Sequence, residues 1–171
     1  MNYLLEKYPQ EVAGILGKYP GDQRQSALMP LLYLAQKELG HVTKQAILDI
    51  GQVLDISTTE VMSVVGFYTL YYAAEDAPRY RVQVCTDLSC ALRGAEAFLV
   101  DLCENVGVKV GETTPDGLVK IEEVVCLAGC DRGPLFQVQG DGKLVYHEDQ
   151  TVESAVRVID DLKRRAGEVG L

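Results

Sequence analysis

The chain has 171 residues, 47% of them hydrophobic and 24% charged, a composition suited to a soluble globular protein of one or two domains. Its net charge of −9 is shared, with five basic and eight acidic side chains in residues 1–75 and eleven and seventeen in residues 76–171. No basic face is therefore offered to nucleic acid. There is no run of about 18 apolar residues for a membrane span, and the start Met1-Asn2-Tyr3-Leu4-Leu5-Glu6-Lys7 lacks the basic and apolar regions of a secretory signal.

Residues 1–76 read as a helical bundle. A short leader runs from Leu4 to Leu16, and Pro20-Gly21-Asp22 signals a turn. Leu28, Leu31, Leu32, Ala35 and Leu39 then recur at spacings of three and four, which predicts a helix stopped by Gly40. Pro30 lies inside that pattern, so the helix either kinks there or begins close to it. Thr43 can cap a second helix whose apolar face uses Ala46, Ile47, Ile50 and Val53. Ser57-Thr58-Thr59-Glu60 has capping-box spacing and opens a third through Val61, Val64 and Val65.

The pattern changes at Ala77-Pro78, and residues 77–171 read as a compact α/β layer. Tyr80, Val82 and Val84 alternate with Arg79, Arg81 and Gln83, as in a half-buried strand. Leu92, Ala95, Leu99, Leu102, Cys103 and Val106 form a helical stripe, and Pro115-Asp116-Gly117 turns into a second strand from Leu118 to Val125. Gly140-Asp141-Gly142 joins strands at Leu135–Gln139 and Lys143–Tyr146 as a hairpin. A final helix uses Val152, Ala155, Val156, Ile159 and Leu162, with Lys163, Arg164 and Arg165 suiting its C-terminal dipole.

Four of the five cysteines fall in two tight pairs, Cys85 with Cys90 and Cys126 with Cys130. Each pair can present two thiolates from one loop, and two such loops together make a tetrathiolate site for zinc or iron–sulfur. Cys85 ends a strand and Cys90 begins the helix after it, where a positive dipole end and unpaired amides would face an anionic centre. Cys126 ends another strand, and Cys130 lies in the loop beyond. Gly129 and Gly133 permit unusual dihedrals and close approach, while Pro134 fixes the exit. Zinc knuckles and single-iron sites favour two-residue gaps, whereas the gaps here are four and three. A 2Fe–2S cluster is wider, with two ligands on each iron, and suits longer gaps. On spacing alone a cluster, zinc and unligated thiols all stay open.

The segment Cys-Thr-Asp-Leu-Ser-Cys-Ala-Leu-Arg-Gly at 85–94 and the segment Glu-Val-Val-Cys-Leu-Ala-Gly-Cys-Asp-Arg-Gly-Pro at 123–134 resemble the two signatures of the thioredoxin-like 2Fe–2S ferredoxin family. Within it the likeness is to the E subunits of NADH-quinone oxidoreductase (respiratory complex I), and it extends over nearly the whole chain. Met29-Pro30-Leu31-Leu32 and Val65-Gly66-Phe67-Tyr68 resemble the helical extension of those subunits. Ser89 stands where many relatives have proline, and Gly133 where they usually have alanine.

The resemblance implies a helical bundle at 1–76 followed by a thioredoxin-like ferredoxin domain at 77–171. It implies that Cys85, Cys90, Cys126 and Cys130 bind one 2Fe–2S cluster that exchanges single electrons with FMN. It also implies docking on a flavoprotein subunit that binds FMN and NADH, in a peripheral arm on the cytoplasmic side of the inner membrane. The chain itself shows no Gly-rich dinucleotide fingerprint and no P-loop pattern, so hydride chemistry is expected on the partner and no NADH turnover from the chain alone. Equivalent subunits serve NAD-linked hydrogenases and formate dehydrogenases. From other classes, a structural zinc module would use the same thiols, and a thiol–disulfide oxidoreductase would want a Cys-x-x-Cys pair that is absent.

Other residues have plainer roles. Cys103 lies on the apolar face of its helix and reads as a buried small hydrophobe. His41 and His147 sit beside no cysteine and read as surface or capping residues, which removes a Rieske arrangement. Phe67, Tyr68, Tyr71 and Tyr72 either pack between the two halves or meet a partner. Thr86, Leu88 and Leu127 are expected to shield the centre from water, and Glu122-Glu123 to face solvent or a partner.

Overall fold

The computed structural model describes residues 2–73 and 77–169. The chain divides into two compact units, Met1–Ala77 and Pro78–Leu171. The side chain of Leu39 and the expected boundary residue 76 lie outside the described residues.

In the first unit local capping chemistry sets the helix ends. Asn2 caps α1 (Tyr3–Lys7) and Pro9 opens α2 (Pro9–Leu16). The turn expected at Pro20 leads into a 3-10 helix, Gly21–Ala27, which runs directly into α3 (Leu28–Leu39). Pro30 falls in the first turn of α3, where its missing N–H leaves no bond unmade. Gly40 ends α3 with φ of 74°, a left-handed C-terminal residue. Thr43 accepts from the Ala46 amide to start α4 (Lys44–Leu54). Ser57 and Glu60 close a capping box on α5 (Thr58–Phe67). Leu4, Val12, Leu31, Leu32, Ile50 and Val61 form the core. Gln36, buried at the end of α3, donates to the Leu70 carbonyl and accepts from the Tyr72 amide. It thereby ties residues 70–72 to the helices. Tyr71 adds a bond to the Met29 carbonyl at 2.8 Å, and burial pushes its phenol up to about 12.

The second unit is a four-stranded sheet in the order β2-β1-β3-β4. The strands are β1 (Tyr80–Cys85), β2 (Val119–Val124), β3 (Phe136–Gly140) and β4 (Lys143–His147). β1 pairs parallel with β2 and antiparallel with β3, and β3 pairs antiparallel with β4. Between β1 and β2 come a single turn, α6 (Leu88–Ala91), and α7 (Ala95–Val106); α8 (Val152–Val169) follows the sheet. Val82 and Val84 of β1, Ile121 of β2 and Phe136 of β3 meet Leu99 and Leu102 of α7 and Ile159 and Leu162 of α8 in one apolar core. Asp141 and Gly142, at φ of 49° and 67°, form the two-residue hairpin turn.

Two expectations change. β1 is buried at all six positions, not on alternate ones. It is an inner strand, and its polar side chains satisfy one another. Gln137 donates to Gln83 at 2.6 Å, Gln83 to Glu122 at 3.3 Å and Arg81 to Glu122 at 2.7 Å. Glu122 is therefore half-buried in an ion pair instead of facing solvent. The helical stripe also loses its first member. Gly94, at φ of 87°, breaks the helix between α6 and α7, so Leu92 is out of phase with Leu99 and 81% exposed.

Candidate metal centre

Cys85 is the last residue of β1, and its amide donates to the Leu135 carbonyl at 3.2 Å. Asp87 caps α6 by accepting from the Leu88 amide at 2.9 Å, which turns the chain back so that Cys90 lies under Cys85. Both thiols are buried at 1% exposure against Ala95 and Leu135, with Leu127 alongside. Because α6 is a single turn, it sums too few peptide dipoles to act as the charged helix end expected at Cys90.

The second pair lies just beyond β2. Cys126 and Cys130 are exposed, with sulfurs 3.6 Å apart, and the Ala128 amide points at the Cys126 sulfur at 3.4 Å. Cys130 begins a 3-10 turn, Cys130–Arg132, anchored where Arg132 pairs with Asp149 at 3.1 Å. The left-handed residue of this loop is Ala128, at φ of 62°; Gly129 and Gly133 have φ of −105° and −74°. What the two glycines supply is space. A methyl group on Gly129 would meet Leu135 Cδ2 at 2.8 Å, and one on Gly133 would meet Cys90 Sγ at 3.3 Å. The Gly133-Pro134 peptide is cis.

Two of the four thiols are shifted by their neighbours. Burial, then the hydrogen bond and charge of Cys85, then the charges of Cys130 and Cys126, push the Cys90 thiol up to about 11. Cys126 likewise raises Cys130, opposed by the Ser89 hydroxyl, which favours the Cys130 thiolate. Among the described residues no three His, Cys, Asp or Glu side chains surround one ion-sized point. The sulfurs come as two pairs. Two ligands about 2.3 Å from one tetrahedral ion lie about 3.8 Å apart, near the 3.6 Å between Cys126 and Cys130. The donor set thus suits a group in which each of two metal ions takes one pair.

The other expectations divide. Leu127 packs beside the buried thiols and Thr86 donates to Glu123 at 2.6 Å, while Leu88 is 71% exposed. Leu135, which does the shielding, gave no sequence signal, because it reaches the site through the pairing of β3 with β1. Arg93 gave no signal either, because its partner is distant in sequence: its Nε donates to the Gly133 carbonyl, 40 positions away, at 3.0 Å. Cys103 is buried in the core, where desolvation raises its thiol. His147 stacks on Phe136 at 4.9 Å, and burial lowers its pKa, so this half-buried side chain has a packing role. The aromatic group splits: Tyr71 is buried in the helical core, while Phe67 is 79% exposed and packs edge-on against Tyr68.

The model of the family Thioredoxin-like [2Fe-2S] ferredoxin matches residues 12–163. The E 2 subunit of the NADH-quinone oxidoreductase of Rhizobium meliloti is 38% identical over 138 residues, which cover 81% of this chain and 78% of the relative. NADH-quinone oxidoreductase subunit 2 of Thermus thermophilus is 41% identical over 124 residues, covering 72% and 68%. The E subunit of the Mycobacterium tuberculosis NADH-quinone oxidoreductase is 35% identical over 94% of this chain, which spans 61% of that relative's length. An NAD+-reducing [NiFe]-hydrogenase in its air-oxidised state superposes with a TM-score of 0.65 at 17% identity, covering 81% of this chain and 23% of that one; the likeness is one of fold. No helix among the described residues is long and apolar enough to cross a membrane. On its sequence and on its relatives, subunits of oxidoreductases, the chain belongs to the thioredoxin-like 2Fe–2S ferredoxin family.

Proposed function

We propose that this chain is the electron-carrying subunit of an NADH-quinone oxidoreductase, in which Cys85, Cys90, Cys126 and Cys130 hold one 2Fe–2S cluster. Such a cluster, when bound, takes up and gives back one electron at a time, and here the exchange is with FMN on a flavoprotein partner that binds NADH. Residues 77–171 carry the site, and residues 1–76 form a helical extension. The observation that carries this reading is the arrangement of the thiols as two pairs on facing loops, with the Cys126 and Cys130 sulfurs 3.6 Å apart.

The chain's own residues divide the work. Cys85 and Cys90 are buried against Leu135 and Ala95, which keeps water from that side, and the Ala128 amide directs a donor at Cys126. Cys126 and Cys130 lie at the surface, where an electron can pass to a partner. Leu88, Leu92 and Val125 leave apolar surface exposed beside the site, which docking of the flavoprotein would cover. The complex would sit on the cytoplasmic side of its membrane.

Iron and acid-labile sulfide analysis of the purified chain, with EPR after dithionite, tests the reading. One reducible cluster per chain is expected; bound zinc with no reducible signal overturns it. Proteins co-purified from native membranes identify the complex, and a hydrogenase or formate dehydrogenase catalytic subunit in place of complex I partners would reassign it.

A further inference from the structure

The turn that carries Cys90 and the loop that carries Cys130 are joined by one side chain. Arg93 follows α6, and its Nε donates to the Gly133 carbonyl at 3.0 Å. The packing around that bond is close: a methyl group on Gly133 would lie 3.3 Å from Cys90 Sγ and 3.5 Å from Arg93 Cδ. Both the stem and the head of Arg93 therefore rest on Gly133, with Cys90 beside them. The guanidinium has five N–H donors in a fixed fork, and Gly133 uses one. Arg79, Arg81, Arg132 and Arg164 each pair with a carboxylate. Among the described residues no carboxylate pairs with Arg93.

We propose that Arg93 is a positioning residue of the thiolate site. It fixes the Cys90 turn against the Cys130 loop by gripping the Gly133 carbonyl, and it adds a positive charge beside the loops that carry the sulfurs. The inference rests on the four cysteines being cluster ligands. Uptake of an electron adds negative charge at the site, and a nearby cation favours it. The two roles separate by substitution, since Arg93→Lys keeps the charge but lacks the fork, and Arg93→Gln loses the charge.

The test uses the full chain after its iron and acid-labile sulfide have been confirmed. Reduction is followed by EPR at poised potentials, release of iron to a chelator is timed, and unfolding of the iron-free chain is measured by denaturant. Arg93→Gln should lower the reduced-to-oxidised ratio at fixed potential three- to tenfold, tenfold being 59 mV for a one-electron couple. The loss should be larger at low salt, because the side chain is exposed. Arg93→Lys should keep the wild-type ratio within about threefold yet release iron faster. Wild-type ratio and release rate in Arg93→Gln would overturn the proposal. So would an Arg93→Lys chain that matches Arg93→Gln in every measurement while both unfold more easily, since that would mark a fold-stabilising role alone. An iron-free wild type sinks the electron-carrier reading and this one with it, whereas a loaded wild type with unchanged variants sinks only the role of Arg93.

Discussion

The floor beneath the thiols depends on one pair of residues, Gly129 and Leu135, and a double-mutant cycle exposes the dependence. Leu135 is fully buried among Cys85, Cys90 and Ala95. Its truncation to alanine loses transfer free energy and leaves a cavity, together about 2–5 kcal/mol. Gly129→Ala should cost about 1–3 kcal/mol by overpacking, because its methyl would lie 2.8 Å from Leu135 Cδ2. At φ of −105° the backbone of Gly129 accepts an alanine, so the penalty is steric. The three nearest atoms that methyl would meet are Cδ2, Cδ1 and Cγ of Leu135. Leu135→Ala removes all three, and the methyl introduced at position 129 then fills part of the vacated space. The double variant should therefore be no less stable than Leu135→Ala alone, with a favourable coupling of at least about 1 kcal/mol. Guanidinium unfolding of the iron-free chain, followed by circular dichroism at unchanged m, measures each corner of the cycle. Additivity within about 0.5 kcal/mol would refute the claim that these two residues share one space.

Three further outcomes follow from named contacts. A methyl on Gly140 would lie 2.7 Å from the Arg79 carbonyl oxygen and closer still to the Tyr80 ring, so Gly140→Ala should cost at least about 2–3 kcal/mol; denaturant midpoints within error of wild type would contradict this. Burial, then the charge of Arg165, lowers the His147 pKa below its ordinary 6.5. The folded chain thus binds fewer protons than the unfolded one, and the contribution is fully present above pH 6.5 and lost as pH falls below it toward the folded value. Thermal midpoints of the iron-free chain should drop across that window and the drop should shrink in His147→Phe; an equal drop in both disproves the assignment. Ser89→Ala removes the hydroxyl that favours the Cys130 thiolate, so alkylation of Cys130 at fixed pH, read by peptide mass mapping, should slow, and an unchanged rate removes Ser89 from the site.

Capping and turn chemistry acts over a few residues, and those features were legible in the chain itself: Gly40 ending α3, the Ser57 and Glu60 box and the Asp141-Gly142 turn all occur where the spacing places them. The pairing of the cysteines was equally local, and with the signatures around it led to the family. What the sequence could not carry was anything set by a neighbour distant along the chain. The alternation at Tyr80 to Gln83 describes two chemical faces, but the partners of Arg81 and Gln83 come from β2 and β3, and only those partners let both faces be buried. Likewise Leu92 fits the apolar stripe by count and leaves it in space, because Gly94 breaks the helix in a left-handed conformation. Which thiols are enclosed, that Leu135 encloses them, and that the Arg93 side chain reaches the Gly133 carbonyl 40 positions away, follow from strand pairing and loop packing that bring distant segments together. Residue order specifies short-range hydrogen bonds and torsions directly, whereas burial is a property of surfaces that meet only once the sheet has assembled.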